Sequence, residues 1–266
     1  MTQDKCVLLD YENSMEILFS MPVGTKLNYP NEVVDYIRSR DNKTVSWVSS
    51  AGVREVQFEM QTTTSPTLER QLDYFRKSGK SLLLFIPDIY FASEIVIKEA
   101  DRTETIGTTQ TFSVSAYCYG VEGMSMLTTD STMFGESATT ADSNAIGDYC
   151  SRLYEIYRDM RGFDVVADNV YMPAGNWNII VRAKATTAVS NDLRLAIHDP
   201  TAGELVINDL NTPGTSGYTY YIATGTIDSA NFGHSVQVYA QKATTDTNDI
   251  YVDMICYVQA SGLITV

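Results

Sequence analysis

Histidine is the side chain best suited to move protons near neutral pH, and this chain of 266 residues contains two, His198 and His234. Each falls near the end of a strand-like segment, and neither belongs to a nucleophile motif. The sequence has no GxSxG, no HExxH, no GxxxxGK[ST] and no GxGxxG opening a helix. A carboxylate pair for glycoside hydrolysis leaves no fixed spacing, so the 33 acidic residues neither reveal nor exclude one. The residues therefore predict no catalytic centre, no cofactor and no enzyme activity. Cys6, Cys118, Cys150 and Cys256 are far apart, with no CxxC pair and no histidine at ligand spacing. They read as free thiols, with two disulfides left open. Cys118 and Cys256 fall on the apolar side of alternating segments, where cysteine behaves as a small hydrophobe.

Two further groups have chemistry suited to binding. Tyr218, Tyr220 and Tyr221 can form a sugar-stacking surface, although tyrosines on a strand equally serve as rim packing. Trp177 falls on the apolar face of its segment and reads as core. Asp246, Asp249 and Asp253 are close enough in sequence to be weak calcium candidates. Their spacing is not that of an aspartate-rich loop ending in a bidentate glutamate, so no metal is expected.

Charge narrows the partners. A formal net charge of -14 and a sequence pI near 4.5 oppose direct nucleic-acid binding, which needs clustered lysine and arginine against phosphate. No segment approaches membrane-spanning length, so no membrane insertion is expected. The N-terminal stretch has too many acids and too short an apolar run for a signal peptide, which predicts synthesis in a cytoplasm.

The elements that must position these residues start from one stretch. Ser65 and Pro66 provide helix-start chemistry, Leu68, Leu72 and Phe75 fall at i, i+4 and i+7, and Gly79 suits a left-handed C-terminal position. This predicts a helix over about 66–78. The continuous apolar run 82–86 then reads as a buried strand ended by Pro87. Before it, short apolar runs at 7–9 and 17–21, a hairpin from 33–37 and 44–48 around Asp41-Asn42, and an alternating strand over 53–60 are expected. After it, 94–99 and 111–119 alternate, and Phe112, Val114, Ala116 and Cys118 share one face.

The order alternating strand, helix LERQLDYFRKSGK, buried strand SLLLFIP, polar-tipped hairpin EIVIKEADRTETIG and closing strand TFSVSAYCYG resembles the hub domain of distal tail and baseplate proteins of tailed viruses. The resemblance covers residues 45–120. It implies a split β-barrel with one flanking helix, as in the related tail-tube proteins, joined into a homo-oligomeric ring around the tail channel. It also implies a virion location in the tail, tail-tube and hub proteins as partners, and assembly through sheet edges and the loop 101–108, with Asp101, Arg102, Thr103, Glu104 and Thr105. The family brings no catalytic residues. On this reading residues 1–122 form the hub-like domain.

Residues 123–162 read as a linker, rich in serine, threonine and alanine at its start. Ile146, Cys150, Leu153, Tyr157 and Met160 keep helical spacing and suggest a short helix, although the tyrosines there suit a strand as well. From 163 to 266 strands recur at short intervals, over 165–171, 177–185, 193–198, 204–208, 218–227, 235–241 and 250–258. Trp177, Ile179, Val181 and Ala183 share one face of the second. Ile250, Val252, Met254, Cys256 and Val258 share one face of the last, and the opposite faces are assigned to water. The phrases MPAGNWNIIVRAKA and NDIYVDMICYV resemble the jelly rolls of carbohydrate-binding modules and of domains appended to viral tail and fibre proteins. That resemblance implies a β-sandwich able to face a glycan or cell-surface polymer. The whole chain is thus expected to be mainly β, with two functional alternatives: a ring-forming structural tail protein, or a carbohydrate-binding or adhesion module without a ring.

Overall fold

The computed structural model describes residues 6–22, 27, 34–38, 44–48, 53–63, 65, 67–128 and 138–260. The Asp41-Asn42 turn, Pro66 and the middle of the polar run after 123 lie outside these residues. The chain is mainly β. Its first half comprises β1 (Cys6–Asp10), β2 (Met15–Phe19), β3 (Val34–Arg38), β4 (Thr44–Val48), β5 (Val53–Thr63), α1 (Leu68–Ser78), β6 (Ser81–Ile86), β7 (Phe91–Ile106) and β8 (Thr109–Leu127).

Helix α1 buries Leu68, Leu72 and Phe75, the three residues whose spacing announced it. Full burial of such side chains is worth about 1.5–3 kcal/mol each, which stabilises a helix this short far more than its propensity does. Gly79 closes it in the left-handed conformation at φ 61°. The start falls later than expected, at Leu68. Ser65 gives no side-chain cap: its hydroxyl lies 2.9 Å from that of Thr67, and its carbonyl accepts from the Leu68 amide.

Strands β5, β8, β7, β6, β1 and β2 follow one another antiparallel across the sheet. The sheet curls until its two outer strands meet at a single bridge, where Ser20 and Gln61 exchange two backbone hydrogen bonds of 2.8 Å. No continuous ladder joins β2 to β5 among the described residues, so the barrel is split along that seam. Its interior is filled by one face of each strand, including Leu8, Phe19, Val56, Phe58, Met60, Leu84, Ile95, Phe112 and Val114, with the helix residues as a plug. The β3–β4 hairpin pairs as a separate ribbon.

The second half comprises β9 (Ala138–Ala141), β10 (Tyr149–Leu153), β11 (Asp159–Val166), β12 (Gly175–Ala185), β13 (Leu193–Asp199), β14 (Glu204–Asn211), β15 (Thr219–Ile227), β16 (Ser235–Lys242) and β17 (Ile250–Gln259). The helix suggested over residues 146–160 is absent. Tyr149–Leu153 and Asp159–Val166 are strands instead, because Cys150 and Leu153 are buried through pairing of β10 with β17 and β9. A free ladder edge competes with the helix, and tyrosine-rich segments favour the strand. One sheet runs β15-β12-β17, and the other β11-β16-β13-β14. Between them lies a core around Trp177, Phe163 and Tyr257, and the indole donates to the Pro173 carbonyl at 3.0 Å.

The two halves share strand β8. Its residues 109–119 lie between β7 and β5, while Met124 to Leu127 pair with β17. The strand therefore passes straight across position 122. Gly123 makes the close approach possible, since a Cβ there would stand 1.8 Å from the Tyr257 carbonyl oxygen.

The last strand departs from the expected alternation. The pairing with β12 shifts register between Arg182 and Ala183, whose partners are Met254 and Val252, so Asp253 is the extra residue of a bulge. Ile250 and Val252 before it, and Ile255 and Tyr257 after it, face the sandwich core. Met254, Cys256 and Val258 are turned to the other side. That side is not in water: it packs with Ile180 and Ile222 against Val7, Leu9, Leu83 and Phe85 of the barrel. Both faces of β12 and β17 are thus buried, one in each half of the molecule.

Candidate functional site

The hairpin assigned to ring assembly is a strand arm rather than a loop. Asp101, Arg102, Thr103, Glu104 and Thr105 all lie within β7, and only Gly107 and Thr108 form the turn. Polarity does not end the strand because a ladder needs only backbone partners. Ile106 faces Thr109 and Thr105 faces Gln110 in register, and Gly107 at φ 59° supplies the positive φ that a tight hairpin requires. Strand β5 continues the arm on the far side of β8 as far as Thr63. Strand β6 reaches only to Val96 on the near side, so the outer edge of β7 from Ile97 to Ile106 has no strand partner among the described residues. Arg102 pairs with Glu69 of α1 at 2.9 Å, and Ile106 at the tip is 66% exposed. The edge carries Lys98, Glu99, Asp101, Arg102 and Glu104. Such a mixture of signs opposes indiscriminate pairing and favours one register over others.

The three tyrosines divide between two faces. Tyr221 packs against the sandwich core, and its hydroxyl accepts from the Gly214 amide at 2.8 Å. Tyr218 and Tyr220 face the barrel, where an ionic network occupies the junction. Arg182 donates to Asp253 and, at 3.2 Å, to Glu16; Tyr220 donates to Glu16; Tyr218 donates to Asp142 at 3.0 Å; Lys184 pairs with Asp142. The Arg182 guanidinium lies 4.9 Å from the Tyr218 ring centre and 5.7 Å from that of Tyr220. Both rings are therefore half-buried and held by contacts within the molecule. Burial raises the pKa of each phenol.

Asp253 is the most unusual group of this network. It is fully buried. Its Oδ2 accepts from the Ile146 amide at 2.8 Å and from Arg182, while its Oδ1 is buried with no hydrogen-bond partner. Burial pushes its carboxyl up to about 7, more than the Arg182 charge and the amide pull it down. At Asp142 the balance is reversed: burial raises its pKa, and hydrogen bonds from Lys184, the Asn144 amide and Tyr218 bring it down to about 2.

The three aspartates considered for calcium do not converge. Asp253 belongs to the junction, Asp249 pairs with Arg152 at 2.8 Å, and Asp246 accepts from Lys242 at 3.0 Å. Among the described residues no group of histidine, cysteine, aspartate or glutamate is arranged to hold a metal. All four cysteines are buried and none is in a disulfide. His234 Nδ1 lies 2.7 Å from Asp199 Oδ2. Asp199 also accepts from Asn231 and from the Thr201 and Ala202 amides, so these contacts brace a turn. No helix among the described residues is long and apolar enough to cross a membrane.

Sequence reasoning missed the junction itself. Arg182 and Asp253 lie on the faces assigned to water, and their charge hid the fact that those faces are covered. The available signal was the pairing of such charges with Ile180, Cys256 and Val258 on long apolar strands.

No family model matches the sequence, and no curated protein matches it. Among solved structures, the chain is similar to the Dit (gp 19.1) protein of phage SPP1, described as a paradigm of the hub adsorption apparatus in phages infecting Gram-positive bacteria. Identity is 13%, with 94% of this chain and 98% of that one covered and a TM-score of 0.26. It is also similar to a CBM36-1 domain of a multidomain xylanase from the hindgut metagenome of Trinervitermes trinervoides, at 13% identity, 52% and 98% coverage and a TM-score of 0.37. A family 35 carbohydrate-binding module from Clostridium thermocellum gives 15% identity, 48% and 98% coverage and a TM-score of 0.34. None of these likenesses assigns a family or a ligand.

Proposed function

We propose that this chain is a structural protein of a viral tail or baseplate, forming a homo-oligomeric ring around the tail channel with its C-terminal sandwich carried outward. The observation that supports this reading is the arm of β5, β8 and β7, whose outer edge over Ile97 to Ile106 is extended and without a strand partner among the described residues, and exposed from Asp101 to Ile106. An unpaired edge of this length is a template for another strand, and charges of both signs along it select one partner. A net charge of -14 keeps the free subunit soluble until its neighbours are present. Neighbouring tail-tube and hub proteins are the further partners on this reading.

Electron microscopy with mass photometry across a concentration series tests it. Wild-type protein is expected to form rings with a central hole. The double variant Asp101→Lys, Glu104→Lys, at two exposed positions, is expected to remain folded and monomeric. Rings formed equally by both proteins would remove the β7 edge as the interface, and wild-type monomers at every concentration would remove the self-assembling ring.

A second reading, that the sandwich binds a carbohydrate or cell-surface polymer, is favoured by a cleft on the sandwich surface between the turn after β10 and the loop before β17.

A further inference from the structure

That cleft has a volume of about 510 Å³ and is lined chiefly by Arg152, Tyr154, Thr245, Asp246, Thr247 and Asp249. Both of its walls are anchored on one residue, Lys242. The lysine backbone donates to the Arg158 carbonyl and accepts from the Tyr157 amide, each at 2.9 Å, which fixes the turn. Its side chain, with no exposure at all, reaches Asp192 at 2.8 Å and Asp246 at 3.0 Å, which fixes the loop. Asn248 completes the bracing: its amide nitrogen donates to Asp192 at 2.6 Å, and its carbonyl oxygen accepts from the Thr186 hydroxyl at 2.9 Å. Tyr154 is held by two guanidiniums, Arg152 at 5.6 Å and Arg158 at 5.1 Å from its ring centre. A surface cleft braced by a buried lysine is preorganised, so a ligand entering it loses little to ordering the walls.

The lining also limits what the ligand is. Each cation is matched to a carboxylate: Arg152 to Asp249, Arg158 to Glu155, and Lys242 to Asp246. A phosphate or polyanion therefore meets no surplus positive charge, and a metal ion meets carboxylates already paired with cations. What remains is a set of donors and acceptors interspersed with apolar surface from Ile156 and the Tyr154 ring, with the exposed Thr245 and Thr247 beside them. Neighbouring hydroxyls of a sugar ring satisfy such a set, because each donates and accepts. We infer that this cleft is a binding site for a neutral oligosaccharide. The inference rests on the carbohydrate-binding reading of the sandwich and requires nothing of the arm.

The test is isothermal titration calorimetry and ligand-observed NMR on the full chain. Neutral hexasaccharides (cello-, xylo-, malto- and laminarihexaose) are the probes, with hexagalacturonate as the charged counterpart. At least one neutral probe is expected to bind in the millimolar range or tighter. Thr247→Trp, at an exposed position where the new ring fills the cleft, and Tyr154→Ala are each expected to weaken binding about tenfold or more, close to 1.4 kcal/mol, with Thr247→Trp leaving Tm unchanged. Absence of binding by every neutral probe, equal binding by Thr247→Trp, or preference for hexagalacturonate would each overturn the inference. Thr247→Trp is expected to form rings as the wild type does. Wild-type protein that binds sugar without forming rings thus counts against the hub reading alone, and wild-type rings without sugar binding count against this site alone.

Discussion

Asp253→Asn isolates a carboxylate whose burial outweighs its partners. Its pKa rises from an ordinary 3.8 to about 7 in the folded chain, so the native state binds a proton that the unfolded chain has already released across that interval. Stability from this group is therefore fully present below pH 4 and is lost as pH rises towards 7. Each pKa unit is worth about 1.4 kcal/mol, which makes the full loss about 4 kcal/mol. Asparagine keeps an oxygen for the Ile146 amide and carries no charge, while Glu16 still neutralises Arg182. The assay is urea unfolding of wild type and variant at intervals from pH 4 to pH 8. Relative to the variant, the wild type is expected to lose about 4 kcal/mol between the two ends, and other titrating groups cancel in the difference. A difference that stays constant, or that grows in favour of the wild type as pH rises, would refute the account of Asp253 as a desolvated carboxyl held up by burial.

Two further perturbations test the packing that positions the candidate surfaces. Gly123→Ala drives a methyl group into the Tyr257 carbonyl across the seam between β8 and β17, and about 3 kcal/mol or more of destabilisation is expected, with the two halves unfolding in separate steps by calorimetry. A single transition at the wild-type temperature would show that the methyl group is accommodated and that the close approach does not require Gly123. Lys242→Met strands the buried carboxylate of Asp192, for an expected cost of about 3–5 kcal/mol. Amide exchange in residues 243–249 is expected to accelerate more than elsewhere, and unchanged protection there would remove the lysine as the anchor of the cleft.

What was legible in the sequence is what depends on local period. Leu68, Leu72 and Phe75 placed α1 because a helical stripe needs only spacing. Val56, Phe58 and Met60, like Phe112, Val114 and Ala116, showed their buried face because strand alternation has a period of two. Trp177 was readable as core for the same reason. Local period misled where a ladder from elsewhere in the chain took over. Cys150 and Leu153 keep helical spacing, yet they sit in a strand because β17, some hundred residues later, offers it an edge. The polar run after Ala100 looked like a loop, and backbone pairing with β8 made it the arm.

The candidate sites depend still more on distant partners. Asp253 reads as a solvent-facing strand residue until a bulge and the arrival of the barrel bury it against Arg182 and Glu16, contributed by β12 and β2. The cleft needs Lys242, Asp192 and Asn248 from three separate segments to hold its walls. Sequence alone determined a mainly β chain carrying helix α1, a net acidic charge and two halves of different rhythm. Which faces are covered, which charges meet and which edge remains open were decided by tertiary register, because a single inserted residue or a neighbouring sheet reverses the fate of a side chain without altering the pattern around it.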